Sequence, residues 1–200
     1  HYPALLGPNK ETRAIASLKK AKAAGIKTML DATTFDLGRD PELLKEVSEG
    51  SGVNLINVTG WWLDGPRFLQ GVGPNQMADE FVKDIQEGFR GTNIKAGMLK
   101  CAADFEGVTR PLETMARAVA RAHLQTGVPI MVHSYPTGHV ARRQIEIFRE
   151  EGVDLGQVKI DHCSYEDRPC PKPKRQRKAT EGQNRSCSVK SSFHSSPQII

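Results

Sequence analysis

Three segments between residues 94 and 163 decide the fold: Ile94-Lys-Ala-Gly-Met-Leu-Lys-Cys101, Pro129-Ile-Met-Val-His-Ser134 and Gln157-Val-Lys-Ile-Asp-His-Cys163. Each is a short run rich in aliphatic residues, as a buried strand requires. Each carries next to its last position a polar residue able to do chemistry: Lys100, His133 and His162. The spacings between these residues, 33 and 29, are the length of one strand–helix unit. Two further runs of the same kind, Lys27–Ala32 and Val53–Thr59, come earlier in the chain.

Helical patterns fill the gaps. Residues 11–24 carry Ile15, Leu18 and several alanines. Residues 41–49 follow Asp40 as N-cap and start with Pro41, which suits a first helical position. Residues 75–90 place Met77, Phe81, Ile85 and Phe89 four apart on one face. Residues 110–126, capped by Thr109, carry Leu112, Met115, Ala116 and Val119, and residues 139–151 carry Val140, Ile145 and Phe148. Gly25, Gly127 and Gly152 stand where helices should stop. This alternation predicts parallel strands joined by right-handed crossovers. An open doubly wound sheet and a (β/α) barrel both satisfy it. The first usually carries a Gly-rich phosphate loop after its first strand, and Asp31-Ala-Thr-Thr-Phe-Asp-Leu-Gly38 is not one. The balance favours an α/β fold of the TIM-barrel type.

Composition agrees with one globular domain: 200 residues, 38% hydrophobic and 26% charged. No run approaches the ~18 apolar residues of a membrane helix. The net charge of +5 belongs to the C-terminal stretch. Of 28 basic and 23 acidic residues, eight and one lie in 168–200, which leaves 20 and 22 in 1–167, a net of −2. The basic balance therefore does not make the main domain a nucleic-acid binder. Residues 168–200 also hold four prolines and six serines without apolar periodicity, so a disordered tail is expected. Cysteines 101, 163, 170 and 187 form no CxxC pair, which argues against a zinc ribbon and fits a reducing compartment, with the cytoplasm favoured. The first residue is His1, so a processed chain or a fragment is expected.

Equivalent points on adjacent parallel strands lie only ~5 Å apart, and barrel active sites occupy the C-terminal ends of the strands. Lys100, His133 and His162 can therefore converge. Alone, a histidine at a strand end is a hydrogen-bonded structural residue and a lysine is solvated; three in series point to a site. Two neutral imidazoles suit a divalent metal of the zinc type. An ammonium group would oppose that metal, but addition of CO2 to a neutral amine gives a carbamate, an anion able to bridge two metals.

Ala32-Thr-Thr-Phe-Asp-Leu-Gly-Arg-Asp40, Thr59-Gly-Trp-Trp-Leu-Asp64, Ala96-Gly-Met-Leu-Lys-Cys101, Gly127-Val-Pro-Ile-Met-Val-His133 and Val158-Lys-Ile-Asp-His162 occur in order. Together they resemble the phosphotriesterase family of the amidohydrolase superfamily, including its lactonase-like members, over about residues 5–167. The resemblance implies a (β/α)8 barrel with a binuclear centre, usually zinc. It places the catalytic, carboxylated, metal-bridging lysine at Lys100, and the ligands of the more exposed metal at His133 and His162. It places Trp62 in the substrate pocket. His139, just beyond the fifth family strand, is a second candidate for the pocket lining. The implied reaction is attack by a metal-bridging hydroxide on a lactone, carboxylic ester or phosphotriester whose P=O or C=O the metals polarise. Ala102-Ala-Asp-Phe-Glu-Gly-Val-Thr109 looks closer to the lactonase-like members.

The resemblance also sets expectations about extent. Family strands 2 to 6 fall within 1–167, whereas the His-x-His of strand 1 and the aspartate of strand 8 are not found. A partial barrel of this kind is expected to be impaired in activity and prone to oligomerise through open strand edges. The expected partner is a small ester or lactone, with no membrane and no nucleic acid. The alternative is a non-catalytic relative acting as an interaction module, with the run Lys172–Lys178 binding nucleic acid or a partner protein. The abrupt change at 168 also fits a segment read out of frame. Lesser readings make Asp31, Asp36 and Arg39 braces that stiffen their loop by ion pairing. Cys101 and Cys163 face away from the ligand side by alternation, and His123 packs within a helix.

Overall fold

The computed structural model describes residues 9–63, 71–136 and 139–162. Its five strands are β1 (Thr28–Asp31), β2 (Asn54–Gly60), β3 (Met98–Ala103), β4 (Ile130–Ser134) and β5 (Val158–Ile160). They are all parallel, and each pairs with its neighbour in sequence. A doubly wound sheet would reverse its order at a switch point. This sheet does not, and it curls into half of a barrel wall. The curl shows in the register: β2 pairs with β1 along Asn54–Asn57 and with β3 along Val58–Gly60. Such stagger from strand to strand is what closing a barrel demands. The expected tail 168–200, Cys163 and the loop 165–167 lie outside the described residues. Among the described residues no helix is long and apolar enough to cross a membrane.

Among the described residues five α-helices alternate with the strands: α1 (Lys10–Ala23), α2 (Pro41–Ser51), α3 (Pro74–Gln86), α4 (Arg110–Thr126) and α5 (Val140–Glu150). Asp40 caps α2 as expected, its carboxylate accepting the Leu43 N–H at 3.0 Å, with Pro41 opening the helix. Thr109 occupies the N-cap of α4 but makes no side-chain cap hydrogen bond. Gly127 ends α4 in the left-handed conformation that glycine adopts without steric cost.

Register divides the sheet into two faces. Leu99, Cys101, Ile130, Val132 and Val158 are matched across β3, β4 and β5 and all are buried. They pack against Met115 and Val119 of α4 and Ile147 and Phe148 of α5 in one continuous core. Fully burying each large side chain contributes about 1.5–3 kcal/mol, so this face carries most of the fold's stability. Burial pushes the Cys101 thiol up to about 12, which suits a packing residue. The opposite face presents Lys100, Ala102, Met131, His133 and Lys159.

Two elements differ from the sequence reading. Helix α3 stops at Gln86, so Phe89 does not continue the face of Met77, Phe81 and Ile85. Gly88 turns the chain with φ 111°, and the Phe89 N–H bonds the Ile94 carbonyl at 2.9 Å. Phe89 then buries in a separate small cluster with Ile94 and Ala96. The spacing of four past Ile85 was coincidental. For the same reason β3 begins at Met98 and not at Ile94. Residues before it are spent on the return turn, where the Ala96 N–H reaches the Asp84 carbonyl at 2.9 Å and the Gly97 N–H the Asn57 carbonyl at 3.0 Å.

Gly60 of β2 pairs directly with Lys100 of β3. Its φ is 117°, and a Cβ there would lie 1.9 Å from the Lys100 carbonyl oxygen. Backbone cannot yield as a flexible side chain can. Gly60→Ala is therefore expected to destabilise the chain by about 3 kcal/mol through clash and strain combined. Urea unfolding checks this; a midpoint within error of wild type would show that the two strands are not held this tightly.

Candidate functional site

Lys100 sits in the middle of β3, whereas the sequence reading put it at the strand's C-terminal end. The strand runs on to Ala103, and Lys100 is in register with Met131, so it lies two residues below the level of His133. The lysine stem spans that offset. The side chain is almost wholly buried, and its Nζ is 3.5 Å from Asp161 Oδ2, a long charge-assisted contact. Burial pulls the Lys100 ammonium below its ordinary range, and the Asp161 carboxylate works against that shift.

His133 follows on the same face, at the end of β4. Its Nε2 is buried and has no hydrogen-bond partner among the described residues. The carbonyl of His133 accepts from Gln144 Nε2 of α5 at 3.0 Å. His162 reaches the site by a different route. The register continues from Val132–Ile160, so strict alternation would turn residue 162 to the outer face. Instead His162 has φ 63° just past β5, and its ring lies 4.6 Å from that of His133, edge-on at 71°. Burial first, then the charges of His162 and Lys100, hold the His133 imidazolium below its usual range.

Trp62 closes one side. Its ring is 4.3 Å from the His133 ring, and the Lys100 ammonium stands 5.5 Å over it, within cation–π range. Its backbone N–H donates to both Asp36 oxygens, at 3.2 and 3.3 Å. His139 is not drawn in: it is exposed at the turn into α5 with φ 61°, and no hydrogen bond or ring contact ties it to Lys100, His133 or His162 among the described residues. The expected ion-pair brace within the β1 loop takes another form. Asp31 accepts from Thr33, Asp36 accepts from Thr34 and Trp62, and Arg39 leaves the loop to pair with Asp84 of α3 at 3.4 Å. Arg39 also donates to the Val58 carbonyl at 2.9 Å and lies 3.8 Å over the Phe89 ring. An arginine fork finds more partners across the core edge than in its own loop. His123 is buried in α4, with Nδ1 2.8 Å from the Val128 carbonyl, which makes it a packing residue.

The sequence reading passed over two residues. Asp161 pairs with both Lys100 and Lys159. Its signal was the period of two, which puts 159 and 161 on the face of His133. Gln144 is almost fully buried, and its Oε1 has no partner among the described residues. Its signal was a polar residue inside the stripe formed by Val140, Ile147 and Phe148. Among the described residues no three His, Cys, Asp or Glu side chains form a metal-holding group.

A half-barrel with Lys100 in mid-strand and two imidazoles and an indole near the C-terminal ends of the neighbouring strands, gathered on one face, defines a class of α/β-barrel protein with a polar site on the inner wall. The phosphotriesterase family model matches residues 3–169, and the chain belongs to that family. It is 38% identical over 169 residues to an aryldialkylphosphatase of Saccharolobus solfataricus, covering 83% of this chain and 54% of that protein. It is 39% identical over 174 residues to a phosphotriesterase homology protein of Mycobacterium tuberculosis, covering 82% and 53%. An N-acetyltaurine hydrolase of Dictyostelium discoideum is 31% identical over 156 residues, covering 77% and 42%. The chain thus spans about half the length of the curated relatives it matches.

Protonating His133 should weaken the metal-free fold. Its folded value lies below the ordinary 6.5, so between the two the unfolded chain binds more protons than the folded one. Stability from this group is therefore present above pH ~6.5 and falls as pH drops through that window. Urea midpoints are expected to fall from pH ~7.5 to ~5 in the wild type, and to fall less in His133→Asn. Equal slopes in the two proteins would contradict the assignment.

Proposed function

We propose that this chain carries part of the metal site of a hydrolase acting on ester-like bonds, with Lys100, His133 and His162 as ligands of a divalent metal, zinc in type. The observation that carries the reading is the pairing of two imidazoles 4.6 Å apart, one with a buried and unpartnered Nε2. An orphaned buried nitrogen costs free energy unless something satisfies it, and a metal would. The donor set fits if Lys100 enters as a carbamate. Burial favours that, because it shifts Lys100 toward the neutral amine that CO2 addition needs. When bound, such a metal supplies Lewis-acid polarisation of a P=O or C=O group and a water acidified toward neutrality.

The other residues do positional work. Gln144 holds the His133 carbonyl and so orients the strand end from which the imidazole projects. Trp62 covers His133 and Lys100 on one side, excluding water and offering an apolar wall to a substrate. Asp161 is the counter-ion that makes a buried lysine tolerable before modification. The relatives include an aryldialkylphosphatase and an N-acetyltaurine hydrolase, which supports hydrolysis as the reaction; the substrate class in this reading is a lactone, carboxylic ester or phosphotriester.

Zinc titration by calorimetry tests the ligands. Wild type is expected to bind zinc, and His133→Ala and His162→Ala each to lose about ten-fold or more in affinity. Lys100→Ala should remove the dependence of binding on added bicarbonate. Unchanged affinity in the double histidine variant would overturn the site. Zinc-dependent turnover of an aryl phosphotriester or a lactone, abolished by Lys100→Ala, would extend the reading to catalysis.

A further inference from the structure

We propose that Asp36 is the positioning residue for Trp62, so that the loop after β1 sets the indole wall over Lys100 and His133. The geometry isolates this contact. Gly60, two residues before Trp62, is pressed against the Lys100 carbonyl. Trp61 then turns outward, 6.2 Å edge-on to Phe81 and 6.2 Å from the Phe35 ring. The Trp62 N–H points the other way, to the two Asp36 oxygens. This hydrogen bond decides how the indole leaves β2.

The carboxylate is itself held. Thr34, fully buried, donates its hydroxyl to Asp36 Oδ1 at 2.6 Å. The Thr34 carbonyl accepts the N–H groups of Leu37 and Arg39 at 3.0 and 3.2 Å. The acceptor therefore sits on a closed turn, and a short loop on β1 reaches across β2 to a site built on β3 and β4. Asp36 is otherwise exposed, so removing its side chain empties no core. A carboxylate offers an acceptor at both oxygens, whereas asparagine offers one, so Asp36→Asn should restore part of the effect.

The inference rests on the proposed hydrolase reading only in treating Trp62 as a wall of that site; its main readout needs neither metal nor turnover. The chain has two tryptophans, Trp61 and Trp62. Trp61→Phe leaves Trp62 as sole reporter, and Trp62→Phe leaves Trp61. In the Trp61→Phe background, Asp36→Ala is expected to raise acrylamide quenching of Trp62 about two- to five-fold, the weight of one net hydrogen bond, with Asp36→Asn in between. In the Trp62→Phe background, Asp36→Ala should leave Trp61 quenching unchanged, while the urea midpoint falls modestly because the buried Thr34 hydroxyl loses its acceptor. Unchanged Trp62 quenching overturns the proposal. So does a parallel rise in Trp61 quenching, which marks a merely structural role. Should Asp36→Ala fail to fold, Asp36→Asn decides alone, and wild-type quenching of Trp62 in it overturns the proposal. Zinc added to the Trp61→Phe protein separates the two readings. Emission that ignores zinc, with the Asp36 pattern intact, sinks the metal site and leaves the positioning role standing.

Discussion

The register between β3, β4 and β5 is the constraint on which the rest depends. Side chains alternate with a period of two, so one register choice assigns every residue to a face. With Leu99 beside Ile130 and Ile130 beside Val158, the apolar set meets α4 and α5. The same choice sends Lys100, His133 and Asp161 to the other side. A slip of one residue would bury the lysine against Phe148 and expose Leu99. Core and site are thus two consequences of one hydrogen-bonding pattern, and the hydrophobic energy of the outer face holds the geometry of the inner one.

The inner face is costly to keep. An ammonium with almost no exposure gives up most of its hydration, and a single carboxylate at 3.5 Å offsets only part of that. His133 sits near the Lys100 ammonium and, among the described residues, retains a nitrogen without a partner. Left-handed backbone at His162 adds strain on a residue that is not glycine. Crowded and strained polar groups gathered at one place are the physical pattern on which the proposed site rests. The neighbouring Arg39–Asp84–Thr59 network shows the contrast. It is also buried and polar, but its groups find partners, with Thr59 Oγ1 2.6 Å from Asp84. It braces α3 against β2.

Much of this was legible in the chain. The alternation of apolar runs and helical stripes determined five parallel strands and five helices. The order of motifs around Lys100, His133 and His162 determined the family. Asp40 and Gly127 marked helix ends because capping chemistry is local. The same was true of Cys101, whose place follows from one step of alternation past Lys100.

What only the tertiary structure decided was anything that depended on two elements meeting. Phe89 kept the helical spacing yet left the helix, because a glycine turn and the Ile94 carbonyl competed for it. Arg39 bypassed the acids of its own loop for Asp84 and the Phe89 face, which lie far away in sequence. Asp161 had no motif of its own and became visible once register set it against Lys100. Asp36 gained its role because Gly60 and Trp61 fix the chain leading into Trp62, whose N–H it captures. Local sequence sets periodicity and caps. Which polar groups find partners is settled by packing, where the cost of leaving each one unsatisfied is decided among all its neighbours at once.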